Sequence, residues 1–139
     1  MFYFTILGVV VGNVMYHIAQ KSVAPSIHPL VSILVNYLTA TLISLALLPI
    51  YPSKTTVAES LRALNWAPFG VGVAIVLVEL FVLLAYRAGW KLSLASATAN
   101  ATTALVLAGV GLLVLGEHIS PRNGVGAVFC LVGLLLLVR

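Results

Sequence analysis

Residues 74–86 read AIVLVELFVLLAY, an apolar run interrupted by a single carboxylate, Glu79. A carboxylate near the middle of a membrane-length apolar segment costs about 2.5–3.5 kcal/mol on insertion scales. Residues placed at that cost usually face a cavity or a partner and mark ion, proton or substrate paths. Low dielectric disfavours the charged form of a carboxylic acid, so a proton and a cationic solute can compete for such a group. The structural alternative is a protonated glutamate that glues two helices by a hydrogen bond. At helical spacing Glu79 shares its face with Gly72, Ile75, Leu83 and Tyr86. Gly72 leaves room beside the carboxylate and Tyr86 offers a hydroxyl.

Two other segments carry polar groups in apolar surroundings. The first has Asn13, Tyr16, His17, Gln20 and Lys21. Asn13 and His17 are i,i+4 neighbours, as are Tyr16 and Gln20, so these side chains fall on one side of a helix. They are expected to line a polar cavity, with His17 able to titrate near neutral pH. Lys21, at the end of the run, reads as a snorkelling anchor. A later segment places Ser96, Asn100 and Thr103 at i, i+4 and i+7. The Asn100 amide must find partners in lipid, either in a cavity or across a helix contact. Asn36 and Tyr37 are weaker candidates for the same roles. His17, His28 and His118 are scattered, and no HExxH, GxSxG or phosphate-binding loop occurs. Neither a metal site nor a cofactor is expected, and nothing points to an enzyme.

The elements that must position these groups follow from composition. Of 139 residues, 62% are hydrophobic and 7% charged, against about 25% charged in an average soluble domain. So few charges cannot cover a water-facing surface, so the chain is expected to be an all-α integral membrane protein. The single cysteine, Cys130, leaves no intrachain disulfide. The net charge of +4 comes from lysines and arginines placed singly at segment ends, which argues against a nucleic-acid partner. Five segments approach the ~20 residues needed to cross a bilayer: 2–20, 29–51, 66–86, 92–116 and 119–138. No basic stretch precedes the first, so it reads as a mature helix and not as a signal peptide. Residues 53–65 form the one extended polar stretch, with Leu61, Leu64 and Trp66 suited to a short interfacial helix. Residues 1–139 are therefore expected to form one multi-pass membrane domain.

Small residues recur where helices would approach closely. Gly8 and Gly12 form a GxxxG, and Gly72, Gly109 and Gly111 are further candidate packing positions. Five crossings place the termini on opposite sides. The N-terminal side then carries Lys54, Arg62 and Arg122, and the other side Lys21, Arg87, Lys91 and Arg139. Three against four is almost no orienting bias. Either orientation is weakly specified or the chain inserts both ways, which would let two copies build an inverted-repeat dimer.

Residues 85–139 bring these features into a familiar order: Ala85-Tyr86-Arg87-Ala88-Gly89, the small and hydroxyl residues from Ser93 to Thr103, Leu115-Gly116-Glu117, Pro121, and a Gly- and Leu-rich run from Gly124 to Leu137. The chain here resembles the C-terminal part of the EamA-like unit of the drug/metabolite transporter superfamily, and is similar in its ending to the small multidrug resistance proteins. The resemblance implies a five-helix bundle, half of a ten-helix inverted-repeat transporter, completed as a homodimer. It implies movement of small metabolites or organic cations, coupled to protons, across a prokaryotic cell (inner) membrane. The small multidrug resistance proteins carry their key glutamate in the first helix. Here that helix offers Asn13 and His17 and the glutamate lies in the third segment, so a multidrug role does not carry over by position.

The expected function is a secondary transporter subunit. Glu79 would be the proton or cation site, and Asn13, Tyr16, His17, Gln20, Tyr86, Asn100 and Thr103 would bind substrate or shape its cavity. A lipid-carrier flippase subunit and a non-transporting membrane scaffold are the alternatives.

Overall fold

The computed structural model describes residues 2–53, 55–116 and 120–138. Among these, all regular structure is helical: α1 (Phe2–Ser22), α2 (Pro29–Leu47), α3 (Val57–Arg62), α4 (Ala67–Arg87), α5 (Leu92–Leu113) and α6 (Pro121–Val138). Four of them, α1, α2, α4 and α5, are long and apolar enough to cross a membrane, and the apolar run Gly124–Gly133 within α6 is shorter. Large hydrophobic side chains are exposed along these helices, including Leu34, Leu38 and Leu42 on α2 and Phe69, Val73 and Phe81 on α4. A helix with apolar side chains on nearly every face is one whose solvent is lipid.

Local chemistry sets the ends of the helices. Pro29 opens α2 at a position where its missing N–H would be unpaired anyway. The second segment was expected to run to Tyr51, but α2 stops at Leu47 and continues only as a turn through Ile50. Pro49 explains this, because it lacks the N–H that the next helical bond requires. Likewise α5 stops at Leu113, short of Gly116, whose φ of +65° lies in the left-handed region that a helix cannot continue through. Gly89, at φ +93°, makes the corresponding break between α4 and α5. α4 begins at Ala67, one residue after Trp66, and the Asn65 Oδ1 accepts from the Ala67 N–H at 2.9 Å, which pairs one of the free donors of the first turn. The last helix begins at Pro121; its expected first residue, Ile119, and the motif residue Glu117 lie outside the described residues.

Within the polar stretch, α3 carries a capping box. The Thr56 N–H donates to Glu59 Oε2 at 2.8 Å, and the Glu59 N–H donates to Thr56 Oγ1 at 3.3 Å. Two hydroxyls in the long helices bond their own backbone: Thr39 Oγ1 donates to the Val35 carbonyl and Ser96 Oγ to the Leu92 carbonyl, both at 2.9 Å. That is how a hydroxyl is accommodated on an apolar helix without a partner elsewhere.

The chain divides into two compact units, Met1–Lys21 with Ala88–Arg139, and Ser22–Arg87. The first holds α1, α5 and α6, with α5 packed on α6. Lys21 Nζ donates to the Trp90 carbonyl at 3.0 Å and ties the end of α1 to the residues that precede α5. The second holds α2, α3 and α4, with α2 packed on α4. Arg87 Nη2 donates to the Ile27 carbonyl and ties the end of α4 to the residues that precede α2.

Candidate functional site

Two polar sites emerge, one in each unit. In the unit of α2 and α4, Glu79 is half-buried near the middle of α4. Asn36, near the middle of α2, donates from Nδ2 to Glu79 Oε2 at 3.0 Å. A hydrogen bond to a carboxylate is charge-assisted and roughly twice as strong as a neutral one. Tyr37 follows Asn36 on α2 and lies within electrostatic reach of Glu79. Its hydroxyl is buried, with no hydrogen-bond partner among the described residues. Leu83 and Tyr86, the two residues of Glu79's face that lie beyond it along α4, are buried with 1% and 6% of their surface exposed. Ile33, 3% exposed, lies one turn before Asn36 on α2. The carboxylate therefore sits beside the tightest packing of its unit.

In the other unit, α1 and α5 line a cleft of ≈ 270 Å³. Its polar lining is Asn13 and His17 from α1 with Ser93, Ser96 and Asn100 from α5, and Val10, Val14, Ile18 and Leu92 make its apolar walls. The His17 ring is buried, and Tyr16 stands beside it edge-on, with centroids 5.2 Å apart at 68°. Gln20, 3% exposed, has neither amide atom hydrogen-bonded among the described residues. Leaving such buried donors and acceptors unpaired costs about 1–3 kcal/mol each. The cleft is mostly apolar, with a few convergent hydrogen-bonding groups, which is the usual make-up of a site for a small organic solute.

The structure thus brings Asn13 and His17, i,i+4 neighbours on α1, together with Asn100 of α5, and sets Tyr16 against His17. Thr103, expected on the same line as Ser96 and Asn100, is exposed and does not line the cleft. Ser93, which the i,i+4,i+7 reading left out, does line it, three residues before Ser96 on the same side of α5. The partner of Glu79 was not foreseen either, because Asn36 is 43 residues away and carries no sequence signal that points to α4.

The glycines were read as packing positions. Gly111 is buried in α5. Among the described residues, a methyl group placed on Gly8, Gly12, Gly72 or Gly109 would meet no heavy atom within 4 Å beyond its own helix backbone. These positions are open among the described residues. Among the described residues no three His, Cys, Asp or Glu side chains gather into a metal-binding group. Comparison with protein-family models, curated proteins and solved structures finds no match to this chain.

Proposed function

We propose that the chain is the protomer of a secondary transporter that moves small metabolites or organic cations across a membrane in exchange for protons. The observation that carries this reading is the half-buried Glu79, held by an amide in the middle of an apolar, membrane-length helix. A group that expensive to insert is retained where its charge is used. Glu79 is the group that takes either a proton or a cation, and within its own unit the α1/α5 cleft carries the hydrogen-bonding groups suited to a small organic solute.

In this reading α6 is a fifth crossing. Its 18 residues span about 27 Å, close to the ~30 Å of hydrocarbon. Two copies, antiparallel, make the ten-helix inverted-repeat assembly. The open glycine positions on α1, α4 and α5 support a second copy packing there, since small residues let membrane helices approach closely. The nearly balanced Lys and Arg distribution permits the opposed insertion that such a dimer needs. Alternating access then comes from one copy rocking against the other. The membrane is a prokaryotic inner membrane.

The test is reconstitution into proteoliposomes with a pH-sensitive dye inside and a panel of amines and small metabolites outside. The wild-type chain is expected to move protons when the right solute is added, and Glu79→Gln is expected to lose that coupling. A Glu79→Gln protein that transports and couples like the wild type overturns the proposal.

A further inference from the structure

The transport reading uses the charge of Glu79 and leaves Asn36 without a task. A carboxylate that exchanges a proton passes between two states with opposite hydrogen-bonding needs. The ionised form only accepts, whereas the protonated form must also donate. In a low-dielectric setting either state is expensive if its polar atoms are left unpaired. A carboxamide is matched to this task, because it carries a donor and an acceptor on one planar group, and a half-turn about its terminal bond interchanges them.

Resting on the reading of Glu79 as the exchange site, we propose that Asn36 is its positioning residue: the amide donates to the carboxylate, and turns over to accept from the protonated acid. In the ionised state Asn36 Nδ2 donates to Glu79 Oε2, the 3.0 Å contact seen in the structure. When one proton adds to Glu79, its O–H donates to Asn36 Oδ1 instead. The site changes from one negative charge to none, and the carboxyl oxygen that faces the amide is paired in both states. A cationic solute is therefore held in the first state and released in the second.

The surroundings leave Asn36 in this role. On α2, the element packed against α4 within the unit, the one titratable side chain is Tyr37. On α4 itself the remaining ones are Tyr86 and Arg87, about two turns further along, and Arg87 Nη2 is bonded to the Ile27 carbonyl. No lysine, histidine or second carboxylate lies on either helix.

The experiment compares wild type, Asn36→Leu, Asn36→Asp and Glu79→Gln in proteoliposomes. Two quantities are read: the pH at half-maximal exchange, and the infrared stretch of the protonated Glu79 carboxyl, identified by its absence in Glu79→Gln. Asn36→Leu removes a charge-assisted bond from the ionised state and a weaker neutral one from the acid. The pH midpoint is expected to rise by about one unit, a tenfold change in proton affinity. The carboxyl band is expected to move to higher frequency, as for an acid without a partner. Asn36→Asp keeps the size of the side chain and sets a second carboxyl group beside the first, so its midpoint is expected to rise further. It tests the same point should the leucine variant fail to fold. Midpoint and band unchanged in these variants overturn the role of Asn36, while loss of coupling in Glu79→Gln leaves the transport reading standing. Coupling retained in Glu79→Gln removes the reading beneath both.

Discussion

Glu79 and Gln20 are both polar side chains held out of water on apolar helices, and the two units treat them differently. In the α2–α4 unit, Glu79 has its partner within the chain, the Asn36 amide at 3.0 Å, and buried Leu83 lies one turn away. In the unit of α1, α5 and α6, Gln20 is buried with both amide atoms unpaired, and Asn13, Ser93, Ser96 and Asn100 open onto a cleft. In the first arrangement one carboxylate oxygen is already paired within the chain. The second has hydrogen-bonding capacity left over. A charge must be paired wherever it is buried, whereas neutral amides and hydroxyls can remain available for a solute or a second copy. In the proposed transport reading, proton exchange belongs to the first unit and solute hydrogen bonding to the second.

The sharpest way to break this comparison is to loosen the packing beside Glu79. Leu83→Ala is expected to cost about 2 kcal/mol or more, because a side chain 1% exposed leaves a cavity that closes only in part. Unfolding in mild detergent measures it, and an unchanged midpoint would mean that Glu79 is not held beside a packed core. Next in size is the cleft. Asn13→Leu and Asn100→Leu each remove one hydrogen bond to a bound solute, and each is expected to weaken its binding about tenfold at every pH. Equilibrium binding checks this. Full affinity in both variants would place the solute elsewhere, and a loss that varies with pH would erase the division of labour.

Gln20→Leu is expected to raise thermal stability by about 1 kcal/mol, since it removes two unpaired polar atoms from a buried position. A marked loss of stability would show that the amide is paired in the assembled protein. The smallest effect belongs to α3. The Thr56 backbone N–H, and then its hydroxyl, hold the Glu59 carboxylate below its ordinary value of 4.5. A carboxylate lowered in the folded state stabilises the fold above its unfolded value, and that contribution is lost as pH falls through the folded value. The helical carbon shifts of Val57–Arg62 should therefore hold above pH 4.5 and decline below it. Thr56→Ala keeps the backbone N–H and loses the hydroxyl, so it should weaken that response without abolishing it, while the Glu79 exchange profile stays as it was.

Much of this was legible in the residues. The apolar runs predict membrane-length helices, because ~30 Å of hydrocarbon demands them. Asn13 and His17 line one cleft because i and i+4 lie on one face. Glu79 announced itself through its cost. Asn36 read only as a weaker candidate, since an amide can be satisfied in several ways and its partner lies 43 residues away. Thr103 and Ser93 exchanged places relative to expectation because periodicity orders residues around α5 without saying which arc of it turns toward α1.

The sequence by itself determined that the chain carries membrane-length apolar helices, their approximate places and the one carboxylate that lies within them. Each of these follows from hydrophobicity and from the rise of a helix, which are local quantities. Only the tertiary structure decided that Asn36 meets Glu79, that α1 and α5 share a cleft, and that Gly8, Gly12, Gly72 and Gly109 are open among the described residues. In water an apolar stripe would have marked the buried face of each helix. In lipid the helices are apolar all round, so hydrophobicity cannot say which faces meet, and shape and a few polar contacts choose among them.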